Sequence, residues 1–186
     1  MFNQGLSLDQ APPISVPFRF FLSAPLFGVL ISIVFFFSPF DEISNQYSHL
    51  AIGVIHLFTL GILSMIIFGA MQQMMPVLAG AILKKPRLFA NIVHPSLVLG
   101  TLSMSFSFIF EIKMLLHIGV LFLTISFLTF FIFSIKLLFK VEFLTSTVKA
   151  MRLFSLAGFI TLILGLYLAI AHISSNIGEQ HYVFVN

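Results

Sequence analysis

Histidine is the residue type in this chain that is best suited to do chemistry in an apolar environment. Neutral imidazole is a common ligand of iron and other transition metals. Histidines occur in the 186-residue sequence at positions 49, 56, 94, 117, 172 and 181. His56 opens the apolar stretch HLFTLGILSMIIFGAMQQMMPVLAG, residues 56–80, which also contains the amides of Gln72 and Gln73. These polar groups require partners, and a metal or cofactor is one candidate partner for the imidazole.

The other reactive side chains form no recognisable catalytic constellation. Cysteine is absent, so disulfides, thiolate metal sites and cysteine nucleophiles are excluded. Most of the carboxylates lie between apolar segments or after the last one, and the sequence has neither an HExxH zinc motif nor a glycine-rich phosphate loop. The histidines are therefore the principal candidates for chemistry.

The elements that must position these histidines are membrane-spanning helices. The chain is 59% hydrophobic and only 8% charged, whereas soluble domains carry about 25% charged residues. A helix needs roughly 20 apolar residues to cross a bilayer. Apolar runs of that length lie at about 18–38, 50–82, 92–110, 114–138 and 150–173, here named spans one to five. We predict an all-α, polytopic membrane helix bundle of five transmembrane helices, forming a single domain over residues 1–186.

The basic residues indicate how the bundle is oriented. Lys84, Lys85 and Arg87 lie between spans two and three, and a second basic group flanks the connection between spans four and five. Asp41 and Glu42 lie in the alternate connection between spans one and two. Because cytoplasmic loops collect Lys and Arg, we predict that the N-terminus is inside and the C-terminus is outside a bacterial cytoplasmic membrane. The basic charge then reflects orientation, so the expected partner is the lipid bilayer and not nucleic acid.

This topology places five of the six histidines in the outer half of the membrane. Ionisable groups in membrane segments usually face the bundle interior or a cavity. His56, about two turns deep, is the favoured metal ligand, and His117 and His172 are the candidates for a second ligand. His49 lies seven residues before His56 on the same helix face and is a weaker metal candidate, with contact to interfacial water as the alternative. His94 is on the inner side and is predicted to start a helix.

Span two is longer than a bilayer requires. Its 33 residues would extend about 50 Å as a helix, against a hydrocarbon core of ~30 Å. We predict a break near residues 72–76, where Pro76 lacks a backbone donor and Gln72 and Gln73 could satisfy the freed carbonyls. The alternative interpretation of this segment is a solute site in a transporter.

Small residues recur at the spacing of helix neighbours in two other spans. Span three carries the stripe Ser96, Gly100, Ser103 and Ser107, which predicts close helix contact. In span five, Gly158 and Gly165 precede His172 at intervals of seven. That stripe predicts either helix contact or the close approach of a flat cofactor.

Residues 47–80 resemble the second transmembrane helix of the heme-copper oxidase catalytic subunit family, and more closely the small oxidase subunit I-like membrane proteins. The resemblance rests on His56 early in the helix, on FTLGILSMIIFGA after it, and on the closing QQMMPVLAG. It implies that His56 is an axial ligand of a low-spin heme b in the outer half of the membrane. The chain departs from the family in having five predicted helices instead of twelve, and it has no positions matching the copper–oxygen histidines or the cross-linked tyrosine.

The leading hypothesis is a heme-b-binding membrane protein that acts in respiratory electron transfer or in the response to nitric oxide. It would not be a complete oxidase by itself, and its candidate partners are a second copy of the chain or subunits of a respiratory complex. One alternative is a copper- or heme-handling assembly factor that uses methionines of span two: Met65, Met71, Met74 and Met75. Copper is less favoured because these methionines lie mostly toward the inner end, away from the histidines. The other alternative is a small-solute transporter without heme.

Single cysteines introduced into this cysteine-free chain test the predicted orientation. We expect a membrane-impermeant thiol reagent to label Ser44→Cys in intact cells, because residue 44 lies in a predicted outer loop. Lys85→Cys should be labelled only after the membrane is opened. Equal labelling of both variants from outside would contradict the topology.

Overall fold

Each apolar run forms one long helix. A computed structural model describes residues 10–173, with side chains up to residue 171, and in that range the chain is all-helical. The helices long and apolar enough to cross a membrane are Ser15–Phe37, His49–Ala79, Pro86–Ile109, Lys113–Leu138 and Ser146–Ala171, the last continuing as a helix to Ile173. A short helix, Phe40–Ser44, lies in the loop between spans one and two. The prediction of an all-α bundle with five membrane-spanning helices is confirmed.

Helix-capping residues explain where the observed boundaries differ from the predicted ones. Span two begins after Ser48, whose hydroxyl accepts a hydrogen bond from the Ala51 N–H at 3.0 Å. It ends at Ala79 because Gly80 adopts the left-handed conformation, with φ of 63°. Pro86 opens span three, a position that suits proline because the first helical N–H needs no partner in the helix. The expectation that His94 starts a helix is therefore wrong, since it lies inside span three.

Span two departs from α-helical geometry, but not where the sequence predicted. It is α-helical over His49–His56, π-helical over Leu57–Ser64 and α-helical again over Met65–Ala79. The predicted break at residues 72–76 is wrong, because the helix continues through Pro76. Pro76 has no N–H to donate to the Gln72 carbonyl, yet the residues on both sides of it keep α-helical geometry. The irregularity instead follows His56 directly.

The bundle is built mainly from helices that are neighbours in the chain. Span three packs most extensively against span four, span four packs against span five, and span one runs along span two. Glycines bring spans three and four together: a Cβ on Gly100 would lie 2.8 Å from the Leu123 nitrogen, and one on Gly119 would lie 2.6 Å from the Met104 nitrogen. The small-residue stripe of span three is thus a helix contact, as expected from van der Waals packing in lipid.

The outer surface of the bundle is apolar. Large side chains on spans one and five are widely exposed, among them Phe36, Phe37, Leu164 and Leu168. A soluble monomer rarely exposes contiguous apolar surface on this scale. The chain is therefore a multi-pass membrane protein whose exposed side chains face lipid.

We expect Gly119→Ala to destabilise the bundle, because the added Cβ meets the Met104 backbone, which cannot move aside without shifting span three. Overpacking of this kind costs about 1–3 kcal/mol. Gly28→Ala is the matched control, since its Cβ would lie at an ordinary 3.8 Å from the Ile62 side chain. Thermal unfolding in detergent measures both variants, and equal midpoints would contradict the proposed packing.

Candidate functional site

His56 is held in one defined orientation at the junction of the α-helical and π-helical parts of span two. Its Nδ1 lies 2.7 Å from the Ile52 carbonyl oxygen. Because a carbonyl can only accept a hydrogen bond, Nδ1 carries the proton and Nε2 keeps its lone pair. The ring also stacks on Phe108, with centroids 5.4 Å apart and planes inclined by 16°. This is the arrangement by which proteins fix the tautomer and direction of a metal-binding histidine.

The imidazole lines a cavity of about 440 Å³ between spans two, four and five. The walls are mainly apolar side chains, including Leu60, Phe68, Phe127, Phe154 and Leu162. Among the described residues that line it, His56 is the one side chain able to carry a charge. The cavity is thus a largely hydrophobic space with a nitrogen base in its wall.

The cavity exists because span five stands apart from span two, with only limited contact between them. Phe68 stacks on Phe130 at 3.7 Å between centroids and packs edge-on against Phe131. Both glycines of the span-five stripe line the cavity, but they do different things. A Cβ on Gly158 would clash with the Phe131 ring, whereas one on Gly165 would meet no atom within 4 Å. Gly158 therefore serves packing, and Gly165 borders open space.

The hydroxyl groups of the cavity are already used as donors. Thr59 donates to the Ile55 carbonyl at 2.8 Å, Ser64 to the Thr59 carbonyl at 2.9 Å, and Thr124 to the Val120 carbonyl at 2.6 Å. Thr161 makes the same kind of bond, at 2.9 Å, to Ala157. These threonines and the serine offer only oxygen lone pairs to an occupant, so the strongest base available in the described wall is His56 Nε2.

The other candidate ligands are not gathered beside His56. His49 Nδ1 lies 2.9 Å from a carboxylate oxygen of Glu111, in the turn between spans three and four. His117 is exposed and its Nδ1 lies 2.8 Å from the Lys113 carbonyl, although Val120, one turn further along, lines the cavity. The side chain of His172 lies outside the described residues; Ala169, three residues earlier, lines the cavity. Within the described range, the structure contains no group of three or more His, Asp or Glu side chains able to hold a metal ion.

His94 has a structural partner on span one. Its Nε2 lies 2.8 Å from the hydroxyl of Ser23, and its ring packs edge-on against Phe20 with centroids 4.9 Å apart. Nearby, Arg19 donates to the Asn91 side chain at 2.6 Å. These contacts account for His94 as a residue that joins spans one and three.

Sequence reasoning identified His56 but missed most of the cavity around it. Span four contributes residues at helical spacing: Val120, Leu123, Thr124, Phe127 and Phe131. That spacing is visible in the sequence, but every face of span four is apolar, so nothing singled out this one. The stacking partner Phe108 likewise could not be distinguished from the many other phenylalanines.

Searches against protein families, curated proteins and solved structures gave no match. The resemblance of residues 47–80 to oxidase subunit I-like proteins therefore stays a prediction.

Proposed function

We propose that this chain is a heme-b-binding membrane protein in which His56 is an axial ligand of the heme iron. One observation carries the proposal: an imidazole whose Nδ1–H is held by the Ile52 carbonyl lines an apolar cavity of about 440 Å³. Histidine ligands of metals almost always donate their other ring N–H to a carbonyl, carboxylate or water. The tautomer of His56 is the one that such a ligand needs.

The cavity has a size and a mainly apolar lining that are common among cofactor pockets, and this supports the proposal. Cofactor pockets commonly measure about 300–1,000 Å³ and are lined mainly by hydrophobic and aromatic side chains. Gly165 leaves open space beside span five, where a flat group could approach the helix. The described wall supplies one imidazole, so a second axial ligand has to come from elsewhere. His172 is preferred, His117 is the other candidate within the chain, and His56 of a second copy is the candidate in a homodimer.

A bound heme would supply iron that changes redox state and binds diatomic gases. The part of the chain would be to bind the iron through His56 and to exclude water with apolar walls. These roles suit respiratory electron transfer or a response to nitric oxide in a bacterial cytoplasmic membrane, with the N-terminus inside. A second copy of the chain or respiratory-complex subunits are the proposed partners.

The copper-handling alternative receives less support. Met65, Met71 and Met75 are buried in the hydrophobic core, and only Met74 of this group is exposed. Methionine in a core usually serves packing. These thioethers do not form a path toward the cavity of His56, so we place heme binding first.

The heme proposal predicts a pigment that depends on His56. We expect protein purified after expression with sufficient heme to show a Soret band, and His56→Ala to lose it while the protein stays in the membrane. His94→Ala is the control, because His94 is engaged with Ser23 on span one. A colourless wild type, or an unchanged Soret band in the His56 variant, would overturn the proposal.

A second substitution tests whether heme binds in the cavity lined by His56 and Gly165. Gly165→Phe would fill the open space beside span five, so we expect it to lower heme content while the unfolding midpoint of the apoprotein stays close to that of the wild type. Leu164→Phe adds an aromatic ring at the adjacent, exposed position and should retain heme. Full heme content in both variants would place the heme elsewhere.

A further inference from the structure

A second cavity, of about 290 Å³, lies at the other end of span two from His56. It is enclosed by the segment before span one, by the last turns of span two and by the loop that follows: Gln10, Pro12, Val16, Gln72, Met75 and Leu83 are among its lining residues. Pro76 and Pro86 also border it. Nothing in the heme proposal involves this cavity.

Gln72 directs an unpartnered oxygen into a buried position beside this cavity. The side chain is only 5% exposed. Its amide nitrogen donates to the Phe68 carbonyl at 3.2 Å, and because that carbonyl can only accept, the assignment of nitrogen and oxygen is fixed. The remaining atom, Oε1, is buried and has no hydrogen-bond partner within the described structure.

Gln10, which lines the same cavity, carries a second orphaned oxygen. Its Oε1 is also buried and without a partner among the described residues, and Gln10 lines the cavity together with Gln72. A buried acceptor without a donor is costly and calls for an explanation, such as a bound molecule. Two such acceptors on one cavity, contributed by segments far apart in the sequence, point to a common occupant.

The chemistry of the walls defines the occupant. Both amide oxygens accept hydrogen bonds, so the occupant must donate. No carboxylate is among the described lining residues, and Lys84 and Lys85 directly follow the lining loop, so a cation would lack a counter-charge and meet repulsion. Val16, Met75 and Leu83 supply apolar contact for the rest of the molecule.

We propose that this cavity binds a small neutral molecule that has an apolar body and donates O–H or N–H hydrogen bonds to Gln72 and Gln10.

Phenol and anisole are suitable probes, since they share a ring and differ in whether the oxygen carries a proton. Ligand-observed NMR on the full chain in detergent, corrected with empty micelles, measures saturable binding. We expect phenol to bind the wild type and anisole to bind more weakly. In Gln72→Met, phenol affinity should fall about tenfold, the loss expected for one hydrogen bond.

Gln73→Met is the matched control, because Gln73 is the adjacent amide and is exposed. It should leave phenol binding unchanged. If Gln72→Met does not fold, Gln10→Met removes the other acceptor from outside the membrane spans and should weaken phenol binding as well. No saturable binding of phenol to the wild type, equal binding of phenol and anisole, or equal phenol affinity in all variants would overturn the proposal. Stabilisation of the wild type by Na⁺ or K⁺ that is lost in Gln72→Met would overturn the assignment to a neutral ligand.

Discussion

The hydrogen bond from a polar side chain to the carbonyl one turn earlier in its own helix orients the main polar group in the wall of each cavity. Lipid offers no donors or acceptors, so polar side chains within a span must find partners inside the protein. His56 bonds to Ile52 and Gln72 bonds to Phe68 in this way. In each residue the bond uses the donating atom and fixes the direction of the rest of the group. The acceptors that remain for an outside partner are the lone pairs on Nε2 of the histidine and on Oε1 of the glutamine, and the Gln72 amide also keeps its second N–H.

The backbone of span two departs from α-helical geometry beside His56, whereas it stays α-helical around Gln72. The π-helical segment Leu57–Ser64 begins immediately after His56, and Pro76 lies one turn after Gln72. π-helical turns occur frequently at functional sites. Three side chains of the π-helical segment, including Thr59 and Ser64, line the larger cavity. An ordinary α-helix of the same residues would present a different set of side chains to spans four and five, so the wall containing His56 depends on this local geometry.

Aromatic side chains of spans two and four pack together beside the larger cavity. Phe68 of span two stacks on Phe130 of span four, and both rings pack edge-on against Phe131. Gly158 of span five fits against Phe131. These rings fix the spacing of the three helices at one level of the bundle. Two turns further along span five, a Cβ on Gly165 would meet no atom within 4 Å. The cavity is thus a consequence of where bulky and small residues lie along the helices.

The sequence alone determined that this is a five-span membrane protein, because long apolar runs have no other stable arrangement and their boundaries are marked by prolines, glycines and charges. It also singled out His56, Gln72 and Gln73, since polar groups are conspicuous among apolar neighbours. It misplaced the irregularity of span two, because Pro76 is a visible signal whereas the π-helical segment has none. Only the tertiary structure decided which face of each apolar helix lines a cavity, that Gly165 borders open space while Gly158 is packed, and that Gln10 and Gln72 share one site. Those outcomes depend on contacts between helices, and a helix that is apolar on every side carries no pattern from which its neighbours could be inferred.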